Sequence, residues 1–224
     1  MTTPALDDLL ERLYVVALPM RVRFRGITTR EVALIEGPAG WGVEEATRAA
    51  AALTADGPLE YLEQPCATVG ELAALRRRVD VPIAADESIR KADDPLAVVR
   101  AGAADIAVLK VAPLGGVSTL LDIAAQIDIP VVISSALDSA VGIAAGLAAA
   151  AALPVLRHAC GLGTGGLFVD DVAGPAVPVD GNLAVGPVTP DPARLAALAA
   201  PPGRRRWWID RVQACYPLLV PSSG

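Results

Sequence analysis

The feature that most constrains the fold of this chain is a repeat of strand-like and helix-like segments with a nearly constant period. Short segments rich in β-branched residues end near Glu63, Asp86, Lys110, Ser134 and Cys160, at intervals of 23, 24, 24 and 26 residues. Stretches of helical character lie between them, at 69–79, 95–101, 117–126 and 140–152. This alternation is typical of parallel β/α architecture, and the even period favours a (β/α) barrel over an open doubly wound sheet.

Charged and hydroxyl side chains stand where the predicted strands end. Glu63, Asp86 and Lys110 end three successive strands, and Ser134 and Ser135 end the next one. The carboxyl ends of barrel strands form the rim on which active sites are built, so we expect these side chains to converge there. Lys110 is one of only two lysines among the 19 basic residues. The rim position brings its ammonium group to the mouth of the barrel rather than into the core.

Two carboxylates and a lysine on neighbouring strand ends form a chemically coherent set. Glu63 and Asp86 offer the hard oxygen ligands that Mg²⁺ prefers, and this ion needs few ligands from the protein. A bound Mg²⁺ would hold a substrate carboxylate and stabilise the enediolate that forms when the α-proton is removed. Lys110 is the proton-handling or charge-stabilising partner, because a lysine, unlike an arginine, changes its pKa readily when desolvated. Each residue alone is better explained by a structural ion pair, and only their equivalent positions in successive repeats favour a site.

Composition and charge exclude several classes of function. The net charge of −6 at pH 7 argues against general affinity for nucleic acid, which requires a basic surface. The longest apolar run, 141–156, has 16 residues, and because a bilayer span needs ~20, a buried helix is expected there. Three cysteines without a paired spacing indicate reduced thiols. We therefore expect a soluble, cytoplasmic protein that acts on a small molecule.

The two ends of the chain do not follow the repeat. Residues 1–42 contain the sequence RVRFRGITTREVALIE, whose alternation of polar and apolar positions predicts a hairpin in an N-terminal capping region. Residues 43–186 are assigned to the barrel, and residues 187–224 to a C-terminal segment that returns to the cap. Trp207 and Trp208 in that segment are expected to pack against the cap.

Four motifs give the chain a resemblance to a known family. They are EQP at 63–65, ADES at 85–88, VLKVAPLGG at 108–116 and SSALDSAVG at 134–142. With the hairpin and the C-terminal RWWIDRVQAC segment, they resemble the enolase superfamily and, within it, most closely the o-succinylbenzoate synthase family of menaquinone biosynthesis. The resemblance implies a (β/α) barrel with a small α+β cap built from the N- and C-terminal segments. It also implies a Mg²⁺-dependent lyase that dehydrates a hydroxycyclohexadiene carboxylate to o-succinylbenzoate.

The same resemblance implies roles for the charged rim residues. Glu63 and Asp86 match the second and third metal ligands of the family. Lys110 matches a lysine at the end of the sixth barrel strand, which faces the substrate ring and stabilises the anionic intermediate while a different lysine takes the proton.

Substrate contacts are implied at two further places. Ser134 and Ser135 fall on a strand end that contacts substrate in the family. Arg25 and Gly26 fall in the loop of the cap that governs specificity. The implied partner is thus a small-molecule carboxylate.

Two motifs of the family are absent from the chain. A KxK pair on the second barrel strand supplies the general base, and no KxK occurs anywhere in this sequence. A DxN on the third strand supplies the first metal ligand. The only DxN here, at 180–182, lies in a segment that predicts a hairpin turn beyond the barrel.

The number of repeats also indicates that part of the barrel is missing. Five strand ends can be counted, whereas a closed barrel needs eight, and residues 37–42 run directly into the helix that precedes the fourth barrel strand. The three missing units amount to roughly 70 residues, to which the linker from the cap adds more, and we place the internal deletion at the junction of Gly42 and Val43. The expected fold is therefore an incomplete (β/α) barrel. Its unpaired sheet edges and open apolar interior predict self-association.

Two functions of different class remain open. The first is an o-succinylbenzoate synthase-type lyase, impaired by the loss of the base and of one metal ligand, with a related racemisation or cycloisomerisation as variants. The second is a non-catalytic remnant that serves as an oligomerising scaffold. A base opposite Lys110 would distinguish the first from the second.

Overall fold

The computed structural model describes residues 13–24, 27–35, 41–55, 57–90, 94–174 and 176–218. Within these residues the strands form two sheets, one of two strands and one of four. The smaller sheet is an antiparallel hairpin of β1 (Leu13–Phe24) and β2 (Ile27–Ile35), in which Leu13 lies opposite Ile35. The hairpin predicted for the N-terminal capping region is thus confirmed.

The larger sheet has four parallel strands whose order in the sheet is their order in the chain. They are β3 (Leu62–Glu63), β4 (Ile83–Ala85), β5 (Ile106–Leu109) and β6 (Val131–Ile133). The helices around them are α1 (Val43–Thr54), α2 (Val69–Arg76), α3 (Glu87–Arg90), α4 (Ala97–Arg100), α5 (Val117–Ala124) and α6 (Ala140–Ala152). One or two helices therefore separate each strand from the next, which confirms the predicted β/α order.

Short-range hydrogen bonds fix where the connecting helices begin. Thr68 precedes α2 and accepts a hydrogen bond from the amide of Glu71 at 3.2 Å, while the Glu71 carboxylate accepts one from the Thr68 amide at 3.1 Å. This reciprocal arrangement satisfies two amides that a helix start otherwise leaves unpaired. It sets α2 immediately after the turn that follows β3.

The strand predicted to end near Cys160 is reduced to a single bridge. Ser134 pairs in parallel with Gly161. The Gly161 amide donates to the carbonyl of Ile133 at 2.8 Å, and its carbonyl accepts from the amide of Ser135 at 3.0 Å. The segment contains a proline and runs into the glycine-rich sequence GLGTGG, and both residue types disfavour a longer strand.

The opposite edge of the sheet also carries one bridge. Trp41 pairs in parallel with Cys66, and its amide donates to the carbonyl of Pro65 at 3.0 Å. Trp41 also packs against the main core, the cluster of buried side chains between the sheet and the helices. Trp41 thus occupies the place of a strand beside β3, and the position of the deletion at the junction of Gly42 and Val43 stays a prediction.

The two faces of the sheet are buried in different clusters of side chains. One face packs with the helices in the main core, which includes Ile83, Ala85, Leu109 and Ile133. The other face forms a smaller cluster of Ala84, Ile106, Val108 and Val132, each 0 to 2% exposed, with Tyr61 against it. The expectation of an apolar interior open to water is therefore wrong for these residues. Strands of two to four residues present only a small inner face, made of Ala, Val and Ile.

The segment after the barrel contains the predicted turn and two helices. Val179 and Asn182 form an antiparallel bridge across Asp180 and Gly181, whose φ values are 49° and 78°. Both central residues of such a tight hairpin turn take positive φ, so the prediction of a turn at this DxN sequence is confirmed.

The last helices are α7 (Pro192–Ala197) and α8 (Pro202–Cys215). No residue of α8 is buried, and Trp207 and Trp208 are 44% and 53% exposed. The expectation that these tryptophans pack against the cap is wrong, because the arginines and apolar side chains of α8 are spread around the helix without forming an apolar face. Among the described residues, no helix is long and apolar enough to cross a membrane.

Hydrogen bonds of Asp105 join the amino-terminal ends of β4 and β5 to α2. Its carboxylate accepts hydrogen bonds from Nε of Arg76 at 2.8 Å and from the amide of Ile83 at 3.0 Å. Its own amide donates to the carbonyl of Ile83 at 2.7 Å. Partial burial disfavours the charged carboxylate, but the hydrogen bonds from Arg76 and Ile83 outweigh that effect and hold the pKa of Asp105 below its ordinary value.

We predict that Asp105→Asn lowers the free energy of unfolding by about 1 kcal/mol at neutral pH, because the variant loses two charge-assisted hydrogen bonds at a partly exposed site. A carboxylate with a lowered pKa stabilises the fold above its unfolded-state pKa, and this contribution is lost as the pH falls through the folded-state value. The difference between wild type and variant in urea unfolding should therefore shrink below about pH 4. Arg78→Met is the control, because its exposed pair with Glu44 should contribute little. An equal difference at neutral and acid pH would contradict the prediction.

Candidate active site

The parallel register brings the predicted rim residues to one edge of the sheet. Glu63 is the last residue of β3, Asp86 directly follows β4, and Lys110 directly follows β5. Asp86 and Lys110 are 3% and 9% exposed, and the Lys110 ammonium donates a hydrogen bond to Oδ2 of Asp86. The convergence predicted for these two residues is therefore present, in the form of a buried ion pair.

A second cation, which the sequence analysis missed, also contacts Asp86. Nε of Arg90 donates to Oδ1 of Asp86 at 3.0 Å, and a terminal nitrogen of the same guanidinium donates to Glu87. The short helix α3 starts directly after Asp86, so residues three and four positions apart face each other there. The spacing of Asp86, Glu87 and Arg90 was the sequence signal that could have revealed this contact.

Gln64 connects the ends of β3 and β4. Its side-chain carbonyl accepts from the amides of Asp86 at 3.0 Å and Ser88 at 3.1 Å, and its amide nitrogen donates to the Ser88 hydroxyl and the Cys66 carbonyl at 2.7 and 3.0 Å. The backbone of Gln64 has a φ of 42°, a value that non-glycine residues adopt only when surrounding contacts enforce it. Gln64 thus orients the loop that carries Asp86.

Glu63 lies beside this ion-pair network without a cation of its own in the contacts of the described residues. Its side chain is exposed at the surface, yet the protein around its carboxyl removes enough water to raise the pKa of Glu63. The negative charge of Asp86 raises that pKa further, whereas Lys110 opposes the shift. The ionised form of Glu63 is therefore disfavoured both by the loss of water and by the neighbouring charge of Asp86.

The two serines stand one strand further along the same edge. The Ser134 amide donates to the carbonyl of Leu109 at 2.9 Å, next to Lys110. Ser135 is 7% exposed, and its hydroxyl shares a 2.6 Å hydrogen bond with the hydroxyl of Thr164 in the GLGTGG sequence. This hydrogen bond joins the end of β6 to the glycine-rich loop. The sequence analysis did not predict this contact.

Two other predicted site residues, Arg25 and Gly26, lie outside the described residues. Their assignment to substrate binding stays a prediction.

The carboxyls at this edge do not make up a complete magnesium site. Glu63 and Asp86 have the right donor chemistry, but each oxygen of Asp86 already accepts from a cation. The described part of the chain contains no group of three His, Cys, Asp or Glu side chains that could hold a metal ion. Within the same residues Lys110 is also the only lysine, so no second ammonium group is available there as a base.

Comparison with known proteins places the chain in a family. The model of the family "Enolase C-terminal domain-like" matches residues 26–192. Muconate lactonizing enzyme from Pseudomonas putida superposes with a TM-score of 0.65 at 29% identity, over 71% of this chain and 48% of that one. Muconate lactonizing enzyme from Pseudomonas fluorescens, complexed with muconolactone, superposes with a TM-score of 0.63, also at 29% identity, over 70% of this chain and 45% of that one. The fold is therefore of the enolase type, and the chain spans about half the length of these solved structures.

Curated relatives define the family more narrowly. o-Succinylbenzoate synthase from Mycobacterium tuberculosis strain H37Rv is 58% identical over 321 residues, with 99% of this chain and 98% of the relative covered. The enzyme of the same name from Mycobacterium marinum is 57% identical over 319 residues. The chain belongs to the o-succinylbenzoate synthase family of the enolase superfamily.

The length of the alignment confirms the internal deletion. It runs over 321 residues, whereas this chain has 224, so at least 97 aligned positions have no residue here. Because the alignment covers nearly all of both proteins, the missing positions are internal.

We predict that Glu63→Gln raises the free energy of unfolding at neutral pH. A carboxyl whose pKa is raised on folding contributes stability below its unfolded-state pKa and loses it as the pH rises through the folded-state value. The variant removes that loss, so its advantage in urea unfolding should vanish below the ordinary glutamate pKa of about 4.3. Glu44→Gln is the matched control, because Arg78 lowers the pKa of Glu44 and its replacement should not stabilise the chain. A destabilised Glu63→Gln variant would contradict this account of the site.

Proposed function

We propose that this chain is an o-succinylbenzoate synthase-type lyase whose rate is well below that of its full-length relatives. The reaction removes the α-proton of a hydroxycyclohexadiene carboxylate and expels the hydroxyl group as water. The observation that supports the proposal is the buried contact of Lys110 with Asp86 at the strand ends of a chain 58% identical to enzymes of that name.

In this proposal Lys110 stabilises the anionic intermediate. Its ammonium must leave Asp86 to do so, because the ion pair neutralises it in the resting chain. With Glu63 ionised, the acids Glu63, Asp86 and Glu87 outnumber the cations Lys110 and Arg90, three to two. The resulting net charge of −1 disfavours binding of a carboxylate substrate.

Magnesium is the cofactor that the family relationship implies. Glu63 and Asp86 are the side chains that would hold it, and we propose that they bind it weakly because the donor set is incomplete. Loss of a positioned general base typically costs 10²–10⁴-fold in rate. This loss alone leads us to expect impaired turnover.

The setting of the reaction is part of the same proposal. We propose a small-molecule carboxylate as the substrate, a role in menaquinone biosynthesis and a cytoplasmic location. The identity to o-succinylbenzoate synthases exceeds the 29% identity to muconate lactonizing enzymes, which favours this reaction over cycloisomerisation.

The alternative is a non-catalytic scaffold that self-associates through the sheet edges. The missing third metal ligand among the described residues favours it. The edges offer little backbone for pairing, however, because β3 has two residues and β6 three. We therefore regard scaffold formation as the second candidate.

The deciding experiment is turnover of the cyclohexadiene carboxylate with Mg²⁺ by the purified 224-residue chain and its Lys110→Ala variant. We expect wild-type activity about 10²–10⁴-fold below that of a mycobacterial relative assayed in parallel, and none from the variant. Light scattering on the same samples reports self-association. Absence of turnover from a folded wild-type chain would overturn the lyase proposal, and a defined oligomer in that sample would favour the scaffold.

A further inference from the structure

The Asp86 carboxylate is bound on both oxygens by cations of the chain itself. Lys110 contacts Oδ2 and Arg90 contacts Oδ1, and the side chain of Asp86 is only 4% exposed. We propose that Lys110 is a resident cation that competes with divalent metal for Asp86, so that metal binding requires the ammonium group to leave. The disagreement between this arrangement and a family metal site motivates the proposal, which concerns cation binding alone and holds whether or not the chain turns over substrate.

The burial of Asp86 explains why cations of the chain itself contact its carboxylate. An ionised carboxylate removed from water is costly unless it is paired, and Lys110 with Arg90 supplies that pairing without metal. Two positive groups within contact distance leave little negative potential on Asp86. A divalent ion that approached Oδ2 would also be repelled by the ammonium group.

Lys110, rather than Arg90, is the cation that must move. The guanidinium of Arg90 bridges Asp86 and Glu87 from one turn of α3, and two acceptors hold its planar fork in place. The ammonium of Lys110 is a point charge on a flexible four-carbon stem, which can change its direction without moving the backbone. When the ammonium group moves away, Oδ2 of Asp86 loses its partner and becomes available to a metal ion.

Calorimetric titration with Mg²⁺ alone, repeated with Mn²⁺, tests the competition. We expect Lys110→Met to bind either ion at least about tenfold more tightly than wild type, because the repulsion between ammonium and metal is removed. Lys110→Arg keeps the charge and should not gain affinity. Arg76→Met is the matched control, since it removes a cation paired with Asp105 at the opposite end of the strands. Equal or weaker binding by a folded Lys110→Met chain would overturn the proposal.

A second measurement uses the wild-type chain. It therefore tests the proposal even if the Lys110→Met variant fails to fold. The chain has only two lysines, and the Lys110 side chain is 11% exposed, so reductive methylation followed by peptide mass spectrometry can follow it individually. We expect its methylation rate to rise several-fold during a Mg²⁺ titration, relative to Lys91 and to a sodium chloride control of equal ionic strength. A rate that stays constant across the titration would overturn the proposal. Neither experiment contains substrate, so failure of the lyase proposal would leave both results interpretable.

Discussion

The parallel hydrogen-bond ladder from β3 to β6 is the constraint on which the rest of the structure depends. It pairs Glu63 with Ala84, Ala85 with Ala107, and Leu109 with Ile133. Because parallel strands in register end at the same edge, residues that follow them meet there regardless of their distance in the chain. Asp86 and Lys110 are 24 positions apart in sequence, yet form a buried ion pair.

Much of this arrangement follows from the sequence, because the repeat period fixes which residues end the strands. The bounds of α6 agree with the expected 140–152, and the acids and lysine of the rim fall at the ends of β3, β4 and β5. The sequence did not predict the contacts of Arg90 and Gln64 with the site, because these contacts depend on the exact turn after each strand. The glycine-rich segment after α6 and the exposed α8 also departed from expectation, since strand length and helix docking depend on neighbours that local pattern does not contain.

The incomplete barrel changes the chemistry of the site as well as its architecture. A family site with a third carboxylate and a second lysine would combine a metal with a base, whereas the described residues combine two cations with Asp86. The ion pairs neutralise a buried carboxylate that would otherwise destabilise the fold. In our proposal, these contacts with Asp86 oppose metal binding and keep Lys110 from acting on a substrate.

The central claim is that the four-stranded sheet folds and aligns its site without the missing strands. Native-state hydrogen exchange tests it most directly at the amides of Ala107, Ser134 and Gly161, which donate to carbonyls of or beside the neighbouring strands. We predict that these amides exchange only through global unfolding, while amides of the exposed helix α8 exchange much earlier. Exchange of all three amides at the rate of an unstructured chain would contradict the account, because the sheet that brings Asp86 and Lys110 together would then not be stably formed.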